Sequence, residues 1–376
     1  MEVNIKMTSN RFIPLAKPNI LESDIENVAK VLRSGMLVQG TEVLNLEKEL
    51  ADFLNVKHVI CLSNGTATLH TALMVLDIKE GDEVIIPALS YVATANVIER
   101  VGATPIFVDV DERSFNIDVT EIEAAITSRT KAIMPVHEFG LVADIGEIKR
   151  ISDKHNLFLI EDAACALGSS ENGKMAGTTG EFGSFSFHPR KAITSGEGGC
   201  LCTNDDKLAE KARILRNHGI DMSSGEMTFV EAGLNYRMTD FQAALLKGQL
   251  ERVKDTLSYK SDLSDCYNRS LTNPNITVPI VKGTKTHAWQ TYHVLIESPL
   301  ERDQMISKLK EKGIGTNYGA QCMPAQEFYF KKYKLDSKSL FPNAYKAYTQ
   351  GLALPLYELL TIQDIEYISQ QVNQQK

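Results

Sequence analysis

Ser184-Phe185-Ser186-Phe187-His188-Pro189-Arg190-Lys191, running directly into Ala192-Ile193-Thr194-Ser195-Gly196-Glu197-Gly198-Gly199, is the stretch around which the chain is organised. It reads as a short apolar strand entering a turn that holds one lysine. Pro189 has no N–H to give and disfavours helix at His188. Gly196, with glycines at 198 and 199, permits a tight turn just after it. Two readings of Lys191 are open. One is a basic residue in a solvated loop. The other is a Schiff-base lysine, whose neutral amine attacks a carbonyl carbon.

Strands and helices alternate on the way to this stretch. After an arm ending at Pro18, the patterning predicts helices over 22–33 and 43–54, then a strand at 58–62 and a helix at 66–76. Strands follow at 83–86, 104–108, 132–136, 157–160, 182–187 and 199–203. Helices fall at 94–101, 120–126, 145–154 and 208–217. Short β-rich runs separated by helical ones argue a mostly parallel sheet covered on both faces. Residues 238–271 read as one long helix bridging to a second domain. That domain holds a strand at 290–296, a helix at 300–312 and helices near Asn343 and Thr361.

The bulk numbers narrow the classes. A chain of 376 residues exceeds one small core, so two domains are expected. Its hydrophobic share of 43% and charged share of 23% are those of an ordinary globular protein. A net charge of −8 argues against nucleic-acid binding, which needs a basic footprint. No apolar run reaches membrane-spanning length, and the N-terminus lacks the apolar core of a signal peptide. Cysteines at 61, 165, 200, 202, 266 and 322 form no zinc spacing. Reduced thiols in a cytoplasm are the expectation.

Several segments carry chemistry. Ser63-Asn64-Gly65-Thr66 joins a strand to a helix start, where free N–H groups suit a phosphate. A plain helix cap is the equal alternative. Glu161-Asp162 follows a strand, at the edge where open α/β sheets bind ligands. A carboxylate there can hold a cationic ring nitrogen in its charged form, or it can simply cap a helix. Adjacent acids also suggest a metal, but no third ligand stands nearby, so none is expected. Tyr91 could stack on an aromatic ligand or serve in packing. Asn235 and Arg237 could bind an anion or start the following helix. His188 reads as structural, with substrate contact as its alternative.

Taken together and in order, these segments resemble the pyridoxal phosphate (PLP) enzymes of the aspartate aminotransferase fold, type I. More closely, the chain resembles the DegT-type sugar-nucleotide aminotransferases. The likeness runs through IPLAKPNI (13–20), SGMLVQG (34–40), SNGTATLHTAL (63–73), PALSYVATANVI (87–98), PVHEFG (135–140) and EDAACALGS (161–169). It continues through FSFHPRK (185–191), TSGEGG (194–199), RNHG (216–219), GLNYRMTDFQAALL (233–246), GIGTNYGAQ (313–321), FPNAY (341–345) and GLALPLY (351–357).

The resemblance implies an α/β fold with two domains. Residues 1–250 would form a large domain around a mostly parallel seven-stranded sheet flanked by helices. Residues 251–376 would form a smaller α+β domain. Lys191 would hold PLP and move a proton between the substrate's α-carbon and the cofactor's C4′. Asp162 would pair with the ring nitrogen, and Tyr91 would stack on the ring. Gly65, Thr66 and Ser186 would hold the phosphate, and Asn235 would reach the neighbouring subunit's phosphate in a homodimer. The family often has glutamine three residues after the aspartate, donating to the cofactor's 3′ oxygen. Cys165 stands there in this chain and is a weaker donor. A dehydratase branch has histidine in place of the lysine, and the presence of Lys191 favours transamination.

The implied reaction takes the amino group of L-glutamate to a nucleotide-linked keto sugar. GIGTNYGAQ resembles the branch acting at C4, with dTDP-4-keto-6-deoxyglucose as the leading acceptor. The 4-amino-4,6-dideoxy product would feed O-antigen or another surface glycan. Sugar selection is expected from residues 36–39, His188, Arg237 and the 313–321 segment, including Tyr318. Amination at C3, or a UDP- or GDP-linked sugar, is the alternative. A PLP lyase or a non-catalytic relative are the more distant rivals, and retention of Lys191 and Asp162 argues against the latter.

Overall fold

The computed structural model describes residues 11–375. The first ten residues of the expected N-terminal arm lie outside them. Seven strands form the main sheet: β1 (His58–Leu62), β2 (Glu83–Pro87), β3 (Thr104–Val108), β4 (Thr130–Ile133), β5 (Phe158–Asp162), β6 (Phe182–Ser186) and β7 (Gly199–Thr203). Their order across the sheet is β1-β7-β6-β5-β4-β2-β3. β7 runs antiparallel to both β1 and β6, and the other four pairings are parallel. Six strands therefore point one way and β7 is reversed.

Side-chain alternation explains why both faces are covered. Ile60, Leu62, Val84 and Ile86 enter one apolar core, while Val59, Cys61 and Ile85 enter the other. Successive residues of a strand face opposite sides, so a continuous apolar run needs a layer on each. The first face is covered by α3 (Gly65–Val75), α4 (Ala93–Arg100) and α7 (Asp206–Arg216). The second is covered by α2 (Thr41–Leu54), α5 (Val119–Ala125), α6 (Ile145–His155) and α8 (Asp240–Glu251). The strand expected over 132–136 ends at Ile133, because Pro135 has no N–H for the ladder.

The expected single helix over 238–271 is two helices, α8 and α9 (Val253–Ser270). Arg252 between them takes φ −101° and ψ 5°. Its guanidinium is anchored on Asp24 of α1 (Glu22–Ser34) at 2.6 and 3.1 Å and on the Asn19 carbonyl at 3.0 Å. A tertiary clamp thus breaks a run whose local sequence is helical throughout.

A third core surrounds a small antiparallel sheet of β8 (Ile276–Thr277), β9 (Tyr292–Ile296) and β10 (Gly351–Leu354), in that order. α9, α10 (Pro299–Glu311) and α11 (Ile362–Asn373) pack there, joined by Ile13, which pairs with Ile314. Tyr329, Phe341 and Ala344 instead reach back to the first face of the main sheet. Gln321–Cys322 pairs with Leu89–Ser90, drawing the preceding residues over the end of β2. Among the described residues, no helix is long and apolar enough to cross a membrane.

Candidate active site

The carboxyl ends of β1, β2, β5 and β6 share one edge of the sheet, and one cavity of about 770 Å³ opens there. Gly65, Thr66, Tyr91, Asp162, Ser186, His188 and Lys191 all line it. Its size is that of a cofactor or substrate cleft.

The helix start on its wall is built for close approach. Asn64 caps α3, its Oδ1 accepting from the Ala67 N–H at 2.8 Å. The cap and the anion-site readings are therefore compatible, since Gly65 and Thr66 still line the cavity. A Cβ on Gly65 would stand 2.8 Å from the Ser186 Cβ. Only glycine lets the helix start and the end of β6 meet this closely.

Glu161 and Asp162 face opposite ways. Glu161 is fully buried and holds His137 Nε2 at 2.9 Å, with the N–H groups of Gly177, Thr179 and Gly180 at 2.9, 2.6 and 2.8 Å. Burial pushes its pKa up, but those contacts outweigh it and leave the pKa below normal. Asp162 faces the cavity. It accepts from the Thr94 hydroxyl at 2.8 Å and the Ala164 N–H at 3.2 Å. Burial raises its pKa against these donors. Among the described residues no cation forms an ion pair with it, so a cationic ligand atom would complete its charge. No metal-binding cluster occurs among the described residues, and Glu161 is committed to structure.

Lys191 sits on a one-turn loop, its N–H donating to the His188 carbonyl at 2.8 Å. That loop is tied back by Phe187 N–H to the Gly198 carbonyl at 2.8 Å and by the Thr194 hydroxyl to the Phe187 carbonyl at 2.9 Å. The lysine is half-buried rather than solvated, and its Nζ donates to Cys165 Sγ at 3.1 Å. Burial raises the Cys165 thiol pKa, and the Lys191 charge offsets this only partly. His188 is shifted down by partial burial, and its Nδ1 accepts from the Arg190 N–H at 3.3 Å, so it reads as a neutral imidazole. Tyr91 is 67% exposed, a large aromatic face open at the cavity.

Three expected residues are not brought into this cavity. Asn235 is exposed and pairs through its backbone with Asn217. Arg237 bonds to the Asn217 side chain and lines a separate cavity of about 670 Å³, as does Gln39. The Tyr318 ring packs edge-on against Tyr348 at 5.9 Å, although Gly319, Ala320 and Gln321 do line the active cavity. Glu138 and Thr94 also line it and carried no assignment from sequence. Glu138 had a usable signal: like Asp162, it is an acid just past the carboxyl end of a strand. Thr94 had none, because its partner lies 68 residues away.

A lysine and a buried aspartate that line one cavity at the carboxyl edge of such a sheet fit the class of PLP enzymes of fold type I. The comparisons agree. Residues 18–373 match the model of the DegT/DnrJ/EryC1/StrS aminotransferase family. A GDP-perosamine synthase of Caulobacter vibrioides is 41% identical over 333 residues, 88% of each chain. A UDP-4-amino-4-deoxy-L-arabinose–oxoglutarate aminotransferase of Shewanella sediminis is 35% identical over 378 residues, 96% of this chain and 97% of that one. The Streptococcus pneumoniae protein Spr1654, described as a sugar aminotransferase, superposes in its PMP form with a TM-score of 0.91 at 31% identity, covering 96% and 97% of the two chains. The chain belongs to the DegT/DnrJ/EryC1/StrS aminotransferase family. It is a PLP-dependent aminotransferase, and PLP is its cofactor.

Proposed function

We propose that the protein moves the amino group of L-glutamate to the C4 keto carbon of a nucleotide-linked 4-keto-6-deoxyhexose. The observation that carries this reading is the shared cavity of Lys191 and Asp162, with a glycine-opened helix start on its wall. When bound, PLP supplies an electrophilic carbon that exchanges amines and a protonated ring that draws electrons from it. Gly65, Thr66 and Ser186 would hold its phosphate, Asp162 its ring nitrogen and Tyr91 its ring face. Lys191 would anchor it and carry the proton at Nζ from one carbon to another. Thr94 would orient the Asp162 carboxylate through their 2.8 Å bond.

For the nucleotide, dTDP is the first reading. GDP is the second, favoured by the relative named GDP-perosamine synthase at 41% identity. His188 lines the cavity and would touch the sugar, while Arg237 and Tyr318 would act from its rim or from a second subunit. A homodimer with shared sites is part of the proposal. Asn235 lies outside the chain's own cavity, and Met36, Val38, Met222 and Phe229 are exposed apolar side chains of the kind buried between subunits. We take residues 1–250 and 251–376 as the two domains, with the third core drawn almost wholly from the latter. Six unpaired cysteines suit a cytoplasmic enzyme, and a surface glycan is the proposed destination of the product.

The test combines purified protein, PLP and L-glutamate with dTDP-, GDP- and UDP-linked 4-keto-6-deoxyhexoses in turn. Release of 2-oxoglutarate and the NMR position of the new amine are the readouts. An amine at C4 on one of them supports the reading and selects the nucleotide. An amine at C3, or turnover of none of the three sugars, would overturn it.

A further inference from the structure

We propose that Glu138 is an acid of this active site, relaying a proton to and from the reacting groups beside Lys191. The inference rests on the amino-transfer reading above.

The turn carrying Glu138 is held from several sides. The Glu138 N–H donates to Asn116 Oδ1 at 2.8 Å, and its carbonyl accepts from Leu141 at 2.9 Å. The Phe139 carbonyl accepts from the Gln290 N–H at 3.0 Å, and the Gly140 carbonyl from the Ser169 hydroxyl at 2.6 Å. Phe139 is held at φ 55°, a left-handed conformation unusual for a large side chain. Such strain persists where the surroundings over-determine it, often at functional sites. Glu138 is thereby placed on the cavity wall with only 5% of its surface exposed.

Among the described residues its carboxyl takes a hydrogen bond from the adjacent Phe139 N–H alone. Glu161 takes four donors, and Asp162 takes Thr94 and Ala164. Among the described residues, the Glu138 carboxyl has neither a side-chain donor nor an ion-pair partner. The titratable groups facing it are Asp162, Cys165 and Lys191, and His188, Arg190 and Glu197 line the same cavity. The Lys191 charge lowers the Glu138 pKa only in part. Asp162 has the Thr94 hydroxyl and the Ala164 N–H as donors, one more than Glu138 has. Burial, then the Asp162 charge, push its pKa up to about 8.

Such an acid fits a specific need. When an amine replaces a keto oxygen, a carbon–nitrogen bond forms and a carbon–oxygen bond breaks. The oxygen leaves as water with two protons that began on nitrogen, and no electrons are gained or lost. Glu138 can give one proton to the departing oxygen, and its carboxylate can take one from the nitrogen. Lys191 is left to handle the proton at carbon.

The test uses holoenzyme and the variant Glu138→Gln, with L-glutamate and ¹³C-labelled 2-oxoglutarate as the exchanging pair and the appearance of ¹³C-glutamate as the readout, so that no sugar is needed. The expected result is a kcat lower by about 100-fold with KM little changed, a span ordinary for a lost general acid. The wild-type rate should fall as rising pH ionises the Glu138 carboxyl, above the ordinary glutamate range, and that limb should vanish in the variant. Independently of activity, ¹³C NMR of glutamate-labelled holoenzyme should show one carboxyl titrating far above the ordinary range, missing in the variant. An unchanged kcat and pH limb, or a Glu138 carboxyl already ionised at neutral pH, would overturn the inference. Should Glu138→Gln take up no PLP, Glu138→Asp must keep a pH limb, and its absence counts against the relay. An inert wild type would sink the proposed function, whereas an active wild type beside an equally active variant sinks the relay alone.

Discussion

The amine of Lys191 lies 3.1 Å from the thiol of Cys165, between residues 26 apart in sequence. The contact places a weak acceptor where a stronger polar group could stand. Burial keeps that thiol protonated at neutral pH, and a protonated thiol is a poor nucleophile. Brief iodoacetamide treatment of native enzyme at neutral pH should leave Cys165 unmodified by mass spectrometry, whereas denatured enzyme should take label at all six cysteines. Rapid native labelling at Cys165 would mean an activated thiol instead.

Glu161 and Asp162 should separate stability from catalysis. Glu161→Ala strands His137 and three N–H groups, one buried and two half-buried, a loss of about 3–5 kcal/mol by analogy with broken buried pairs. Since its folded pKa is depressed, its stabilising contribution is present at neutral pH and is lost as pH falls through the acid range. Asp162→Ala should do the reverse, with near-normal melting but turnover lower by about 100-fold or more. Thermal melts and glutamate half-reaction rates on both variants decide this, and equal effects on both readouts would refute it.

Gly65→Ala tests the phosphate cradle. The new methyl must displace Ser186, since it would lie 2.8 Å from its Cβ. Overpacking of this kind costs about 1–3 kcal/mol, so PLP affinity should drop about tenfold. Fluorescence titration of apoenzyme with PLP measures it. Wild-type affinity would show that the helix start is not the phosphate site.

The stability of the apoenzyme should depend on Glu138. Its folded pKa is raised, so the folded state holds the proton more tightly than the unfolded chain does. The stabilising contribution is then full below the ordinary glutamate range and is lost as pH rises towards about 8. Urea midpoints of wild type should decline between pH 6 and about 8, and those of Glu138→Gln should decline less. Parallel curves would contradict the assignment.

The proposed homodimer with shared sites predicts complementation between crippled chains. Lys191→Ala and Asn235→Ala homodimers should each be nearly inactive. Mixed after unfolding and refolding together, they should regain about a quarter of wild-type activity, because half the dimers are hybrids and each has one intact site. No recovery, with hybrids present by native mass spectrometry, would place Asn235 outside its neighbour's site.

Much of this protein is legible in its chain, for local reasons. Strand and helix alternation follows from apolar periodicity, and the ends of most elements follow from caps and prolines such as Asn64 and Pro135. Lys191, Asp162 and Gly65 could be singled out because each stands at the end of a strand or the start of a helix, where sheets of this type bind ligands. Other features depend on contacts that no local window contains. The reversal of β7 is a matter of pairing, and the break at Arg252 comes from Asp24, 228 residues away. That Glu161 supports the core while Asp162 faces the cavity is decided by which side of the sheet each side chain meets. Thr94, Cys165 and Glu138 join the site because folding brings distant segments together in a buried space, where charges interact strongly and burial shifts proton affinities.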